Sequence, residues 1–303
     1  MESQLAIPPR DTEDWSYNQI LSLTIVNKIS AFLSLVGSGY IIFRNLRLPQ
    51  RDERLKLTYH RIMLGLSAHD SISSISIFFG SWAMPEDNLH SDEMIGNYGS
   101  WGTCTAQGFF IYYGYLSCVM YNSFLSAYFL LCIRYGWREE QFRAIEPYCF
   151  CVATGISLSI SIYLAVTESF NPTLKWCFIQ SYPINCEQYE EFECIHGENS
   201  SSYFVIFIVL PICCAFAVIA YCMTSLYRHV RSVDKALEEH IVTRGESRRN
   251  NCPSDRSKKV FRIACLYVGV FVLIWAPTLV NFLSHCVSFA NLLLIQSIFR
   301  LQH

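Results

Sequence analysis

Charged residues are absent from four long intervals of the chain: between Glu93 and Arg134, Glu146 and Glu168, Glu198 and Arg228, and Arg262 and Arg300. A helix rises about 1.5 Å per residue, so about 20 apolar residues cross the hydrocarbon core of a bilayer. The first interval has room for one long span at 101–134, after a Gly- and Ser-containing loop. The second and third hold spans at 147–167 and 203–228. The fourth holds two, 260–283 and 287–303, joined at Ser284-His285-Cys286, and two more lie upstream at 21–43 and 60–83. A water-soluble helical bundle would need polar stripes at helical spacing. The stretch from Phe204 to Ala220 has no polar face at all. The pattern therefore predicts an all-α protein, a seven-transmembrane helix bundle over 19–303.

The cations give the bundle an orientation. Arg44–Arg61 holds six Lys and Arg, Arg134–Arg143 three and Arg228–Arg262 ten, together 19 of the chain's 23. These segments alternate along the chain, and positive loops stay on the cytosolic side. The amino terminus therefore faces out, with an extracellular tail at 1–18 and a long cytosolic loop at 229–259. Met1–Trp15 lacks the basic start and apolar run of a cleavable signal peptide. The first span is expected to direct its own insertion. The seventh reads as truncated: Val287–His303 is 17 residues, about 25 Å of helix against a core of about 30 Å.

Composition agrees. Charged residues make up 16 % and hydrophobic residues 52 %, against roughly 25 % charge in soluble domains. A formal charge of -2 excludes a nucleic-acid binder that depends on overall basicity. No paired-His metal motif, G-x-S-x-G, phosphate-binding Gly loop or C-x-x-C occurs. The expectation is no enzyme, no cofactor and no metal. No lysine follows Lys259, which removes any retinal Schiff base from the last two spans and with it a light-driven pump.

Of the 14 cysteines, Cys104, Cys177, Cys186 and Cys194 fall on outward segments, with Cys286 a fifth candidate. Outward thiols oxidise, and Cys104 at the start of span 3 can pin the loop 167–202 across the mouth of the bundle. Four sulfurs allow three pairings. Asn199-Ser200-Ser201 is a glycosylation sequon on the same side.

Inside the spans, Asp70 stands out. It lies nine residues past Arg61, about 13 Å along a helix, where a carboxylate is expensive and marks a functional candidate. Ser71, Ser73, Ser74 and Ser76 follow it and could line a hydrated pocket or let helices pack closely. A protonated Asp70 bonded to its neighbours for stability is the plainer alternative. Lys28 is expected to reach for the headgroups. Asn122, Ser123 and Ser126 on span 3 suit hydrogen bonds between helices. Pro211 and Pro277 break spans 5 and 6 and make natural flexing points.

These features together resemble a G-protein-coupled receptor. Leu66-Ser67-Ala68-His69-Asp70 is similar to that family's span-2 motif, Ile133-Arg134-Tyr135 to its Asp-Arg-Tyr motif and Trp275-Ala276-Pro277 to its Trp-x-Pro toggle. Ser123 matches a serine of the family's sodium pocket beside the buried Asp. Val36-Gly37-Ser38, Cys104-Thr105-Ala106-Gln107-Gly108-Phe109 and Trp176-Cys177-Phe178-Ile179 resemble the cyclic-AMP-receptor-like branch more than rhodopsin. The resemblance implies that Cys104 pairs with Cys177, leaving Cys186 with Cys194. It also implies G-protein coupling through Arg134 and Tyr135, a switch at Trp275, Pro277 and Pro211, and an ion site at Asp70 and Ser123. Three departures stand beside it: Ile133 replaces the acidic partner of the arginine, span 4 lacks the central tryptophan, and span 7 stops before any Asn-Pro-x-x-Tyr.

The expected protein is a multi-pass plasma-membrane receptor that passes an extracellular signal to a heterotrimeric G protein. Its partners would be an unidentified ligand, that G protein and membrane lipids, the last on the basic stretches around Arg228 and Lys258-Lys259. The alternatives are an ion channel or transporter using Asp70, and a truncated receptor fragment that does not signal.

Overall fold

A peptide chain in hydrocarbon must satisfy its own N–H and C=O groups, which a helix does within one segment. The computed structural model describes residues 17–47, 51–88, 96–184, 186–188 and 193–244, with Leu266, Gly269 and Leu273 as single positions. The expected spans 260–283 and 287–303 lie outside this set apart from those three positions. In chain order come α1 (Tyr17–Leu46), the short α2 (Arg51–Leu55), α3 (Thr58–Phe79) with a 3-10 turn at Gly80–Ala83, α4 (Trp101–Arg134) and α5 (Glu139–Val166). A two-stranded antiparallel sheet follows, β1 (Phe170–Pro172) with β2 (Cys177–Ile179), Phe170 opposite Ile179 and Pro172 opposite Cys177. Then α6 (Ser200–Phe204) runs through a π turn at Val205–Val209 into α7 (Leu210–Arg244). Among the described residues five stretches are long and apolar enough to cross a membrane: Tyr17–Leu46, Thr58–Ala83, Trp101–Arg134, Glu139–Val166 and Ser200–Val233.

Two differences from the sequence expectation have physical causes. The helix of span 5 continues to Arg244, so the first part of the expected loop at 229–259 is helical. Loss of apolar character marks where a helix leaves the bilayer, not where it stops. The outer loop contains a β-hairpin although the chain reads as all-α. Three-residue strands are too short to leave a periodic signal.

The chain divides into two compact units, Met1–Phe124 with Arg138–Ile208 and Leu125–Trp137 with Val209–His303. The first is patterned inside out. α1 exposes Ile25, Val26, Ile29, Phe32 and Leu33 while burying Thr24, Ala31, Ser38 and Asn45 at every seventh position. Buried hydroxyls there bond to carbonyls one turn back: Thr24 to Ile20 at 2.9 Å, and Ser157 and Ser161 to Ala153 and Ser157 at 2.7 Å each, as does the half-buried Ser71 to Ser67 at 2.8 Å. Small side chains also bring α3 and α4 together. A Cβ on Gly114 would stand 2.7 Å from Ser73, and one on Gly65 3.0 Å from the Tyr121 ring. Serine inside and isoleucine outside is the arrangement a lipid solvent favours, where close packing replaces hydrophobic burial.

In the second unit α7 buries Ile212, Ala215, Ile219, Cys222, Leu226 and Val230, a stripe at helical spacing, and exposes Val218, Tyr221 and Tyr227. α4 ends there at Gly136, whose φ of +65° suits a residue without a Cβ. The Leu131 carbonyl accepts both the Tyr135 N–H at 3.2 Å and the Trp137 N–H at 3.1 Å, so the chain folds back over the last turn of the helix and satisfies one of its end carbonyls.

Candidate functional site

The functional candidates group into an outer hairpin, a polar layer within the spans and an arginine-bearing inner end.

The hairpin is tied to α4 in three ways. Cys104 bonds to Cys177 with Cα atoms 5.3 Å apart. The buried amide of Gln107 donates to the carbonyls of Ser76 at 3.0 Å and Gly80 at 2.8 Å, and accepts from the Cys177 N–H at 2.8 Å. One side chain thus satisfies the end of α3 and the start of β2. Gly108 makes the approach possible, since a Cβ there would stand 2.7 Å from the Phe170 ring. At the start of α4, Ser100 and Thr103 cap each other's backbone, Ser100 N–H to Thr103 Oγ1 at 2.7 Å and Thr103 N–H to Ser100 Oγ at 3.3 Å.

Cys186 bonds to Cys194 across a separation of 8 residues. That small loop carries Glu187, whose carboxylate accepts from the Ser200 N–H and hydroxyl at 2.6 Å each and from the Ser201 N–H at 3.2 Å. It satisfies free N–H groups of the span-5 helix start and opposes the helix dipole. Asn199 sits beside this cap with its side chain exposed. His196 Nδ1 lies 2.6 Å from Glu168, and its ring packs against Trp101. Lys28 does not simply extend to headgroups: Nζ lies 3.2 Å from the centre of the Trp82 ring and donates to the Phe79 carbonyl at 3.3 Å.

Within the spans, Asp70 is bound from α1. Its Oδ2 accepts from the Ser34 hydroxyl at 2.8 Å and from the Ser38 hydroxyl. Ser123 is turned to its own helix, donating to the Val119 carbonyl at 3.1 Å. Asn122 likewise donates to Cys118 at 2.8 Å. Next to Asp70, His69 contacts the Gly65 carbonyl at 2.8 Å and the Tyr113 hydroxyl at 3.1 Å, between the rings of Tyr113 and Tyr121. From α4, the Tyr112 and Tyr115 hydroxyls donate to the carbonyls of Phe207 at 3.0 Å and Ile208 at 3.1 Å. Both acceptors lie in the π turn that precedes Pro211.

At the inner end, the Arg134 guanidinium donates to the Ser225 hydroxyl and lies 5.4 Å from the ring centre of Tyr135. Arg61 forms a two-pronged pair with Glu146, Nε to Oε1 at 2.5 Å and Nη2 to Oε2. Thr58 completes the cluster through its hydroxyl, 3.3 Å from Glu146, and its N–H, 2.8 Å from Glu139. Trp275 and Pro277 lie outside the described residues. Among the described residues no group of three or more His, Cys, Asp or Glu could hold a metal ion.

No family model matches the chain, and no curated protein matches it. Among solved structures it is similar to the crystal structure of squid rhodopsin, with a TM-score of 0.56 at 14 % identity, covering 89 % of this chain and 69 % of that one. The likeness is one of fold. The chain has an all-α, heptahelical-like architecture similar to that of squid rhodopsin. With its five apolar helices it is a multi-pass membrane protein.

Gln107, Glu187, the Arg61–Glu146 pair and the two tyrosines have no role in the sequence reading. Arg61 and Glu146 stand at the edges of two apolar spans, a signal that could have paired them. Nothing in the sequence marks the others, because their partners are backbone groups.

Proposed function

We propose that the chain is a plasma-membrane receptor that couples an extracellular ligand to a cytosolic heterotrimeric G protein. The observation that carries this reading is the build of α4. Its outer end holds a β-hairpin through Cys104 and Gln107, and its inner end presents Arg134, which among the described residues bonds to a neutral hydroxyl rather than to a carboxylate. A rhodopsin-like fold supplies the frame in which such a helix links a ligand side to a transducer side.

The ligand would sit under the hairpin, and binding would shift a two-state bundle. Pro211, Trp275 and Pro277 would form the flexing element. Arg134 and Tyr135 would face the G protein. The cyclic-AMP-receptor-like words around Gly37, Cys104 and Cys177 favour that branch. Asn199 would carry a glycan, and the basic stretches beside Arg228 and Lys258 would hold anionic lipid. Asp70 and Ser123 would form a buried ion site, with the Ser34 and Ser38 hydroxyls already on Asp70. That commitment to α1 also weighs against a channel, in which the carboxylate would have to line a conduction path.

Nucleotide exchange separates the readings. Arg134→Ala should fold and reach the surface but lose exchange on every heterotrimer that responds to the parent chain. Asp70→Asn should change the sodium dependence of that exchange. An ion current that depends on Asp70, without exchange on any heterotrimer, would overturn the receptor reading.

A further inference from the structure

Span 5 contains a defect with a specific repair. A proline withholds its N–H from the carbonyl four residues back, so Pro211 leaves the Phe207 carbonyl without its α-helical donor. The chain takes a π turn at Val205–Val209 immediately before it. An unbonded carbonyl in hydrocarbon is costly. The Tyr112 hydroxyl donates to this oxygen at 3.0 Å, and Tyr112 is fully buried, so water is excluded from the task. One turn along α4, Tyr115 donates to Ile208 at 3.1 Å. Ile208 is different, because its α-helical donor would be the N–H of Ile212, which exists.

We infer that Tyr112 supplies to Phe207 the hydrogen bond that Pro211 withholds, and that with Tyr115 it holds the π turn of span 5 in its resting shape. Both are positioning residues. Tyr112 also touches the outer hairpin: its ring lies 6.4 Å from Phe170 of β1 and 6.0 Å from Tyr115, centre to centre. A ligand that shifts the hairpin therefore acts on the hydroxyl that holds the turn. This last step, and only this one, rests on the receptor reading.

The test is amide hydrogen exchange over 205–210 on the full chain in lipid nanodiscs. It needs no ligand and no G protein. Losing one hydrogen bond is worth about a fivefold change in opening. Tyr112→Phe should accelerate exchange about fivefold in the parent chain and less than about twofold in Pro211→Ala, where the new N–H can serve Phe207. Tyr115→Phe should accelerate exchange equally in both backgrounds. If Tyr112→Phe fails to accumulate in membranes, Tyr112→Phe/Pro211→Ala should restore its yield. Equal effects of Tyr112→Phe in the two backgrounds would overturn the inference. So would equal rescue of Tyr115→Phe, since Pro211→Ala would then be stiffening the helix generally. Basal nucleotide exchange on a panel of heterotrimers is read in parallel. Coupling between Tyr112 and Pro211 without any response from the panel would leave the tyrosine assignment standing and remove the receptor reading. A responsive panel without the coupling would do the reverse.

Discussion

Arg61 and Arg134 both stand at helix ends predicted to face the cytosol, and their guanidiniums are held in opposite ways. Arg61 grips Glu146 with two nitrogens, and Thr58 adds a third polar group. The Glu146 side chain is 9 % exposed and that of Arg61 21 %, so this is a largely dehydrated ion pair between α3 and α5. Among the described residues Arg134 instead bonds to the hydroxyl of Ser225, and the arginine as a whole is exposed. A hydroxyl returns little for losing a guanidinium, and water can replace it. Charge pairing is therefore spent where helices must stay together and withheld where, on the proposed function, an arginine must change partners.

The sharpest way to break this contrast is Glu146→Ala. It strands Arg61 in a site built for a carboxylate, and removing one partner of a buried pair costs roughly 3 kcal/mol. Unfolding in detergent micelles should fall accordingly. Arg61→Ala/Glu146→Ala should recover part of the loss, because no charge is then left unpaired. A loss below about 1 kcal/mol would mean that the pair behaves as a surface salt bridge, and the contrast would fail.

Glu139→Ala tests the same joint more gently. The α3 start has no side-chain cap of its own at Leu57, and Glu139 of α5 accepts the Thr58 N–H at 2.8 Å. Losing a carboxylate at a helix N-terminus should cost about 1 kcal/mol in the same unfolding measurement. It should also slightly raise amide exchange in the first turn of α3 while leaving α7 unchanged.

How much of this was legible follows the range of each interaction. Charge-free intervals betray helices because a bilayer imposes one length on every crossing, and the heptahelical-like fold follows from that regularity. The intervals misplace the ends. α5 starts at Glu139 rather than 147 because its first two turns carry Glu139, Glu140, Arg143 and Glu146, charges that a helix outside hydrocarbon tolerates. The partners of Cys104 and Cys186 came from a resemblance, since spacing alone left three pairings. Asp70 was conspicuous, yet its contacts with Ser34 and Ser38 needed the relative rotation of α1 and α3, which hydropathy does not encode. Ser123, expected beside Asp70 by position, donates to the Val119 carbonyl, a bond that position alone does not announce. A serine in a helix can always turn to the carbonyl one turn back. Gln107 and Tyr112 were the least visible, because a side chain that serves backbone carbonyls leaves no complementary residue to notice.

The smallest expected effect on stability, and the most informative, comes from Ser225→Ala. One neutral partner is lost by Arg134, which is itself exposed so that water can take the partner's place, and unfolding should shift by no more than about 1 kcal/mol. If the hydroxyl does not restrain Arg134, nothing else should change. If it holds Arg134 in its resting position, removing it frees the guanidinium at almost no cost, and basal nucleotide exchange should rise. Ser225→Thr keeps a hydroxyl and should return exchange to the parent level, which separates loss of the hydrogen bond from a change in packing against α4. Arg134→Ala should abolish exchange in all three backgrounds. Unchanged basal exchange in Ser225→Ala, on a heterotrimer that responds to the parent chain, would show that Ser225 does not restrain Arg134. The difference between the two arginines would then be one of stability alone.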